Sequence, residues 1–472
     1  MTDSNSPAEQ ELGPLWSGRF SKEPDPSAHR LTESLSFDVR LAPQDVEATV
    51  AHVRALEAAE LLDAADAKAL EDAVREVGEE IARGTFAFDA ADEDVHSAIE
   101  RGVTARLGEL GERLHAGRSR NDLVVTDLRL WSLAAGGRIA AELVALLEVV
   151  RDRAREGVDA ILPGTTHGRL AQPVTLGHHL MAHAFAFLRD LERLEQWADR
   201  TRVSPLGAGA IATSTLPLDP ETTATRLGLP RAFDNSMDAV SDRDFVMELL
   251  SVASILAMHL SRIAADLIRW SDESVRFARL DDAFATGSSM MPQKRNPDPL
   301  ELVRAKAARP ASSFARLAQV LDGLPLGYHR DLQEDKEPLF DAVDTLEASL
   351  PAIAGCLATV TFDAEAMRAA AGAPELYATD VAEALVAQGL PFREAHRKVG
   401  GLLRLLEEDG RTLGDLTPEE WDVVGLPEGA QLLDPERAVS ARSMHGGPSR
   451  VSVEAQLDTL QQALADRRGR HS

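Results

Sequence analysis

The chain has 472 residues, 44% hydrophobic but only 4% aromatic, with one cysteine, so a large core must rest on aliphatic side chains and no internal disulfide can form. Fifty Lys and Arg face 77 Asp and Glu, a net charge of −27 that repels nucleic acid and anionic membrane at long range, so neither is an expected partner. A lone Cys356 also excludes a multi-cysteine zinc or iron–sulfur centre, and in LPAIAGCLATV it reads as a small apolar core residue.

Residues 1–15 are polar, acidic and aperiodic and read as a disordered tail. They lack the basic and apolar regions of a secretion signal, and nowhere do eighteen apolar residues run together, so a soluble, cytoplasmic protein is expected. Residues 16–119 read as a small N-terminal helical domain, with amphipathic helices from Pro43 to Arg83, Gly84 as a C-cap and a charged loop, ADEDVH, soon after.

Residues 120–361 differ in scale. Helical periodicity covers 121–157 and 173–202, and a third helix is expected after SDRDF, where Ser241 and Asp244 have capping-box spacing. In it Phe245, Leu249, Val252, Leu256, Leu260, Ile263, Leu267 and Trp270 recur at steps of three or four, an apolar seam suited to a bundle. A fourth helix is expected from Pro299 to Leu321, kinked at Pro310, and a fifth from Glu334 into CLATV. The segment LSVASILAMHLSRIAADLI is apolar over so much of its surface that other copies of the chain are expected to cover it. Residues 362–472, with shorter helices and more Gly and Pro, read as a C-terminal helical domain. No strand-like alternation stands out, and the fold class is all-α.

Four segments gather groups that could carry chemistry. GSSMMPQKRNP, 287–297, cannot continue the helices that flank it; it sets Ser288 and Ser289 shortly before Lys294 and Asn296. No G-x-S-x-G elbow is present, but a hydroxyl near an ammonium can take a proton from beside a carboxylate while the cation and an amide hold the developing charge. A capped surface loop is the plainer alternative. AGRSRND, 116–122, offers Arg118, Ser119, Arg120 and Asn121 at a helix start, where an anion binds well, although arginines there are often simply solvated. PGTTHGRLAQP, 163–173, places Thr166 and His167 at the mouth of another long helix, and Glu301 could pair with that His and raise its basicity. GYHRDLQEDKEP, 327–338, brings Tyr328, Arg330, Gln333 and Lys336 together, either as ligand donors or as an ion-paired helix start. His179 and His183 share one helical face, but there is no H-E-x-x-H and no third ligand at familiar spacing, so no metal is expected; no G-x-G-x-x-G or P-loop supports a nucleotide cofactor.

Taken together these segments resemble the fumarase/aspartase superfamily, whose signature loop is G-S-S-x-x-M-P-x-K-x-N or a close spacing variant. Within it the chain is most similar to the argininosuccinate lyase family, through LWSGRF at 15–20, DEDVHSAIE at 92–100, GRSRND at 117–122, SPLGAGAIA at 204–212, NSMDAVSDRDFV at 235–246 and DLQEDKEPLF at 331–340. ATD at 378–380 and PFREAH at 391–396 extend the likeness into the C-terminal region. The resemblance implies a homotetramer of three-domain all-α subunits around a twenty-helix core, with each active site shared by three subunits. It implies cofactor-free, reversible β-elimination of argininosuccinate into arginine and fumarate. Carried over by position, Ser288 is the base, Lys294 and Asn296 hold the aci-carboxylate dianion, and His167, supported by Glu301, serves the acid side; the Ser and His roles are assigned both ways within the family. Ser34, Asn121, Thr166, Tyr328, Gln333 and Lys336 match substrate-binding positions, with Ser119 and Arg120 beside them. The resemblance also implies that the serine loop closes over substrate, so its helix-breaking composition serves movement.

The chain departs from the family pattern at Ser17 and Leu123, and at Thr165, Gly168, Arg169 and Leu170 around the His. Two other readings follow: another fumarate-releasing lyase of the superfamily, or a tetrameric scaffold without turnover.

Overall fold

The computed structural model describes residues 25–89 and 91–471; the expected N-terminal tail and the LWSGRF motif lie outside the described residues. As expected, helices dominate. Four long ones run unbroken, Arg120–Glu156, Leu176–Thr201, Asp244–Ser271 and Lys336–Thr359, and the last is led in by a 3-10 turn, Arg330–Asp335. The expected fourth helix is split into Asp298–Lys306 and Ala308–Leu321. Its break falls where the Pro310 ring would meet the carbonyl four residues earlier, at Lys306.

The helix Asp244–Ser271 is long and apolar enough to cross a membrane by length and composition. Its seam is spent inside the protein instead: Phe245, Leu249, Val252, Leu256, Leu260, Ile263, Leu267 and Trp270 are all buried. At about 1.5–3 kcal/mol for each large apolar side chain, this seam is a major stabilising element. The expected Ser241–Asp244 capping box does not form. Ser241 closes the short helix Ser236–Ser241, its hydroxyl donating to the Met237 carbonyl at 2.6 Å, while Asp242 accepts the Asp244 N–H at 2.7 Å. The Ser241 hydroxyl and the Asp242 carboxylate compete for that N–H; the hydroxyl is turned to the Met237 carbonyl and the carboxylate takes it.

The chain forms two compact units. The first comprises Met1–Gly137 (described from residue 25), Leu194–Ser251 and Pro310–Val343. Here Ala42–Ala58 and Ala64–Ala82 pack closely, a Cβ on Gly78 falling 2.6 Å from Val46 Cγ2, and Gly84 follows the second helix at φ 68°. Gly136 is also required: a Cβ would lie 2.3 Å from Trp197 Cζ3, and that indole donates to the Phe245 carbonyl at 2.7 Å.

The second unit comprises Arg138–Arg193, Val252–Arg309 and Asp344–Ser472. Its C-terminal part has a core of Val381, Leu385, Ala395, Val399, Leu413 and Trp421, and Cys356 is buried as expected, its thiol pushed up to about 11 by burial. This unit also holds strands that the sequence reading lacks. Ile161–Thr166 pairs antiparallel with Arg169–Thr175, Thr286–Gly287 with Arg295–Asn296, and Ala278–Arg279 with Thr361–Phe362. The first hairpin escapes a period-two search because its register shifts between Pro163 and Thr165, and because Pro163 faces Pro173, which replaces the expected alternation with imino acids.

Candidate active site

In the second unit both expected catalytic segments sit at hairpin ends. His167 and Gly168 form the two-residue turn of the first hairpin, at φ 53° and 70°. Both central residues at positive φ is the type I′ pattern, whose twist matches the strands it joins. Gly adopts this without cost and His, though uncommon there, tolerates it better than a β-branched residue would. The unusual Gly168 therefore has a local reason: it lets the hairpin close immediately beside His167. Thr166 ends the first strand, and both it and His167 are exposed.

The serine segment is a second hairpin, with Ser288 to Lys294 spanning the loop between Gly287 and Arg295. Ser288 Oγ accepts the N–H groups of Met290 at 3.3 Å and Met291 at 3.0 Å, and Lys294 N–H donates to the Met291 carbonyl at 3.1 Å. The loop base is fixed by Arg295, which donates to the Leu280 carbonyl at 3.1 Å and pairs with Asp282, and by Thr286 donating to Asp298 at 2.5 Å. Lys294 is exposed, while Ser288 and Asn296 are half-buried. Hydroxyl and ammonium are thus carried on one short loop between anchored strands. Glu301, in the first turn of Asp298–Lys306, is exposed and lies 3.9 Å from Arg304; among the described residues no hydrogen bond or ion pair joins it to His167, or Ser288 to His167.

In the first unit the expected substrate residues gather around two acids that the sequence reading treated only as motif letters. Glu93 accepts from Arg120 at 3.3 Å and from Arg330 at 2.7 Å, and its carbonyl accepts the Ser34 N–H at 2.9 Å. Asp94 caps the helix Val95–Leu107 through a capping box with Ser97 and pairs with Arg120 at 3.0 Å. Arg330 also donates to the Thr32 carbonyl, and Gln333 donates to the Glu33 carbonyl at 3.4 Å. Ser34, Arg120, Arg330 and Gln333 therefore share one patch. Ser34 Oγ in turn donates to Asp38 at 2.5 Å, and burial, outweighing that bond, raises Asp38 above its ordinary value.

Beneath this patch lies a buried network. His96 Nδ1 is 2.5 Å from Asp45 and 3.3 Å from Asp127. Burial opposes its positive charge, but the Asp45 bond and the fields of Asp45, Asp94 and Asp38 prevail, and His96 titrates above its ordinary value. Burial and the nearby Asp45 push Asp127 well above its ordinary value.

Asp122, absent from the expected set, organises the GRSRND segment. It accepts the N–H groups of Ser119 at 3.0 Å, Gly207 at 3.0 Å and Gly209 at 2.8 Å, joining the helix start to the SPLGAGAIA loop. Gly207 and Gly209 have φ of 105° and 62°, the conformations that aim their N–H groups at it. Beside it Asn121 accepts nothing from Ser119's hydroxyl but donates its own N–H there at 3.2 Å, and its amide donates to the Ala210 carbonyl at 3.2 Å. The signal was present: a carboxylate within a motif otherwise rich in donors, followed later by a Gly-x-Gly loop.

Lys336, expected to meet substrate, is buried, its Nζ 3.0 Å from Asp335. Asp335 also takes Arg243 at 2.5 Å in a pair with no exposed side-chain surface, and the Arg243 guanidinium lies 5.9 Å from the centre of the half-buried Tyr328 ring. Gly327, just before Tyr328, donates to Ser241 Oγ at 2.5 Å. Arg243 and Asp335, both missed, thus hold Tyr328 and Lys336 in one assembly.

Residues 18–310 match the lyase family and residues 375–440 match the argininosuccinate lyase C-terminal family. The argininosuccinate lyase of Symbiobacterium thermophilum is 48% identical over 461 residues, 96% of this chain and 99% of that protein. Those of Frankia casuarinae and Moorella thermoacetica are 46% and 45% identical, over 95% and 96% of this chain and 98% of each relative. Among solved structures, an EDDS lyase in complex with formate is 26% identical with a TM-score of 0.83, covering 94% of this chain and 90% of that one. A 3-carboxy-cis,cis-muconate lactonizing enzyme from Pseudomonas putida, 23% identical with a TM-score of 0.73 over 93% of this chain and 97% of that one, shares the fold. By the match of its lyase region and its near full-length identity to these relatives, the chain belongs to the argininosuccinate lyase family of carbon–nitrogen lyases.

Proposed function

We propose that the chain catalyses the reversible β-elimination of argininosuccinate to arginine and fumarate, without a cofactor. The observation that carries this reading is identity of 45–48% to argininosuccinate lyases along nearly the whole chain, together with a serine hydroxyl and a lysine ammonium on one anchored hairpin loop. In the forward direction Ser288 takes the proton from the carbon beside a carboxylate. The electron pair moves into that carboxylate, and the resulting dianion is held by Lys294 and Asn296. Collapse of the dianion forms the carbon–carbon double bond and breaks the carbon–nitrogen bond, and His167, with Glu301 behind it, protonates the departing guanidino nitrogen. Ser34, Ser119, Arg120, Asn121, Thr166, Tyr328, Gln333 and Lys336 orient the substrate.

A carbon acid next to a carboxylate is very weak and a serine hydroxyl is a poor base, so the step depends on fixed donors and on exclusion of water. The exposure of Ser288's loop and of His167 in one chain supports a site completed by other copies, and we assign a homotetramer with each site shared by three subunits. The burial of the Asp244–Ser271 seam in the core supports a soluble enzyme, and we assign it to the cytoplasm with the biosynthetic relatives it matches.

The test is fumarate release, followed by absorbance, from argininosuccinate, adenylosuccinate and aspartate in parallel. Turnover confined to argininosuccinate is expected. Turnover of another substrate in its place would reassign the enzyme within the superfamily, and no turnover of any would make it a scaffold.

A further inference from the structure

We propose that His179, His183 and Asp266 form a binding site for one divalent transition-metal ion, zinc by preference, between the helices Leu176–Thr201 and Asp244–Ser271 within the second unit. The sequence offers the first half: two His four apart lie one above the other on a helical face, the spacing by which helices commonly present paired imidazoles to zinc. The fold supplies what the sequence could not, a third ligand 83 residues beyond His183. Asp266 Oδ2 lies 2.8 Å from Nε2 of His179 and 2.8 Å from Nε2 of His183. Both rings therefore point the same nitrogen at one carboxylate oxygen, and the three ligand atoms lie within 4.8 Å of one another.

The distances suit the ion. Zinc bonds of about 2.0–2.2 Å in a tetrahedron place ligand atoms roughly 3.3 Å apart. The carboxylate must retreat by about half an ångström from each ring, a small side-chain rotation, for an ion to enter between them. Both rings already turn Nε2 to the Asp266 carboxylate, so moving each ring proton from Nε2 to Nδ1 frees the two nitrogens to meet an ion beside that oxygen.

Surroundings favour a bound ion over a bare ion pair in two further ways. The Trp270 ring stands edge-on to His179 at 4.8 Å between centroids, fixing that imidazole's orientation. The side chains of His179, His183 and Asp266 keep 28%, 12% and 32% of their exposure, so the cluster is reachable from solvent. Among the described residues the other cluster of comparable closeness, Asp45, His96 and Asp127, is buried and belongs to the network beneath Ser34.

The experiment titrates the full-length, chelator-treated protein with zinc chloride by calorimetry and with cobalt chloride by visible absorption. One ion per chain is expected, with the intense visible bands of four-coordinate cobalt. His183→Ala and Asp266→Asn should each weaken zinc binding by at least ~30-fold and abolish the cobalt bands, since even outer-shell changes cost 10–100-fold. His178→Ala, next to the site but outside it, should change neither. Circular dichroism checks that each variant is folded, and His179→Asn replaces any that is not. Absence of saturable binding up to millimolar zinc, or one-per-chain binding indifferent to these substitutions, overturns the proposal.

Discussion

Asp335 is a buried acid paired with two buried cations, and this makes its replacement unequal to the replacement of either partner. Arg243 and Asp335 expose none of their side-chain surface, and Lys336 retains only 3% of its own. Asp335→Asn keeps size and shape but strands both charges. Removing one partner of a buried ion pair costs about 3–5 kcal/mol, because the other charge is left uncompensated in a poorly polarisable interior. Arg243 keeps some support, donating to the Val240 carbonyl at 3.3 Å and the Asp242 carbonyl at 2.8 Å and facing the Tyr328 ring, so the lower half of that range is expected for its share. Arg243→Met removes a cation instead, and Asp335 still has Lys336, so about 1–3 kcal/mol is expected there. Denaturant unfolding of the parent and both variants, followed by circular dichroism at fixed subunit concentration, should rank Asp335→Asn well below Arg243→Met. Because Lys336 is assigned to substrate, Asp335→Asn should also raise KM for argininosuccinate. If Asp335→Asn unfolds with the parent, or if Arg243→Met is the more damaging of the two, the reasoning from stranded charge fails.

Three further outcomes follow from the geometry. His167→Asn places Asn-Gly in the type I′ turn, the preferred pair there, so thermal stability should hold or rise while kcat falls about 10²–10⁴-fold; a comparable loss of stability would show that the turn has been misread. His52 is depressed to about 3 by burial and by the Arg118 charge against its bond to the Ala116 carbonyl, so its share of stability is fully present above pH 6.5 and is lost as pH falls toward 3. Between pH 6.5 and 5 that share is roughly 2 kcal/mol, and His52→Gln should flatten the acid limb of the unfolding profile by that amount. Asp122→Ala orphans three N–H groups at a cost of about 2–4 kcal/mol and should raise KM through Asn121; an unchanged KM would detach Asp122 from substrate positioning.

Long-range periodicity was legible in the sequence because the helices are long. The seam from Phe245 to Trp270 appears in the structure as read, and Pro310 breaks its helix for the steric reason proline always carries. The hairpins were illegible for equally physical reasons. Ile161–Thr175 is irregular where alternation would have shown, and Thr286–Gly287 is too short to have a period at all. The local cap at Asp244 was misassigned because sequence spacing does not say which of Ser241 and Asp242 is nearer in space. Of the candidate site, the cations and hydroxyls stood out as unusual in their segments, whereas the acids that hold them did not. Glu93 and Asp335 lie 237 and 92 residues from the Arg330 and Arg243 they bind, and in a chain with 77 acids no composition argument selects them.

The central claim is that the hydroxyl of Ser288 takes the proton from substrate, and the most direct measurement is kcat for fumarate release by Ser288→Ala, beside argininosuccinate affinity measured by calorimetry on the same protein. A group acting in proton transfer accounts for about 10²–10⁴ in rate, so kcat should fall by that much or more while binding changes little. Retention of more than about a tenth of the parent kcat would contradict it, since no base of that importance can be removed so cheaply.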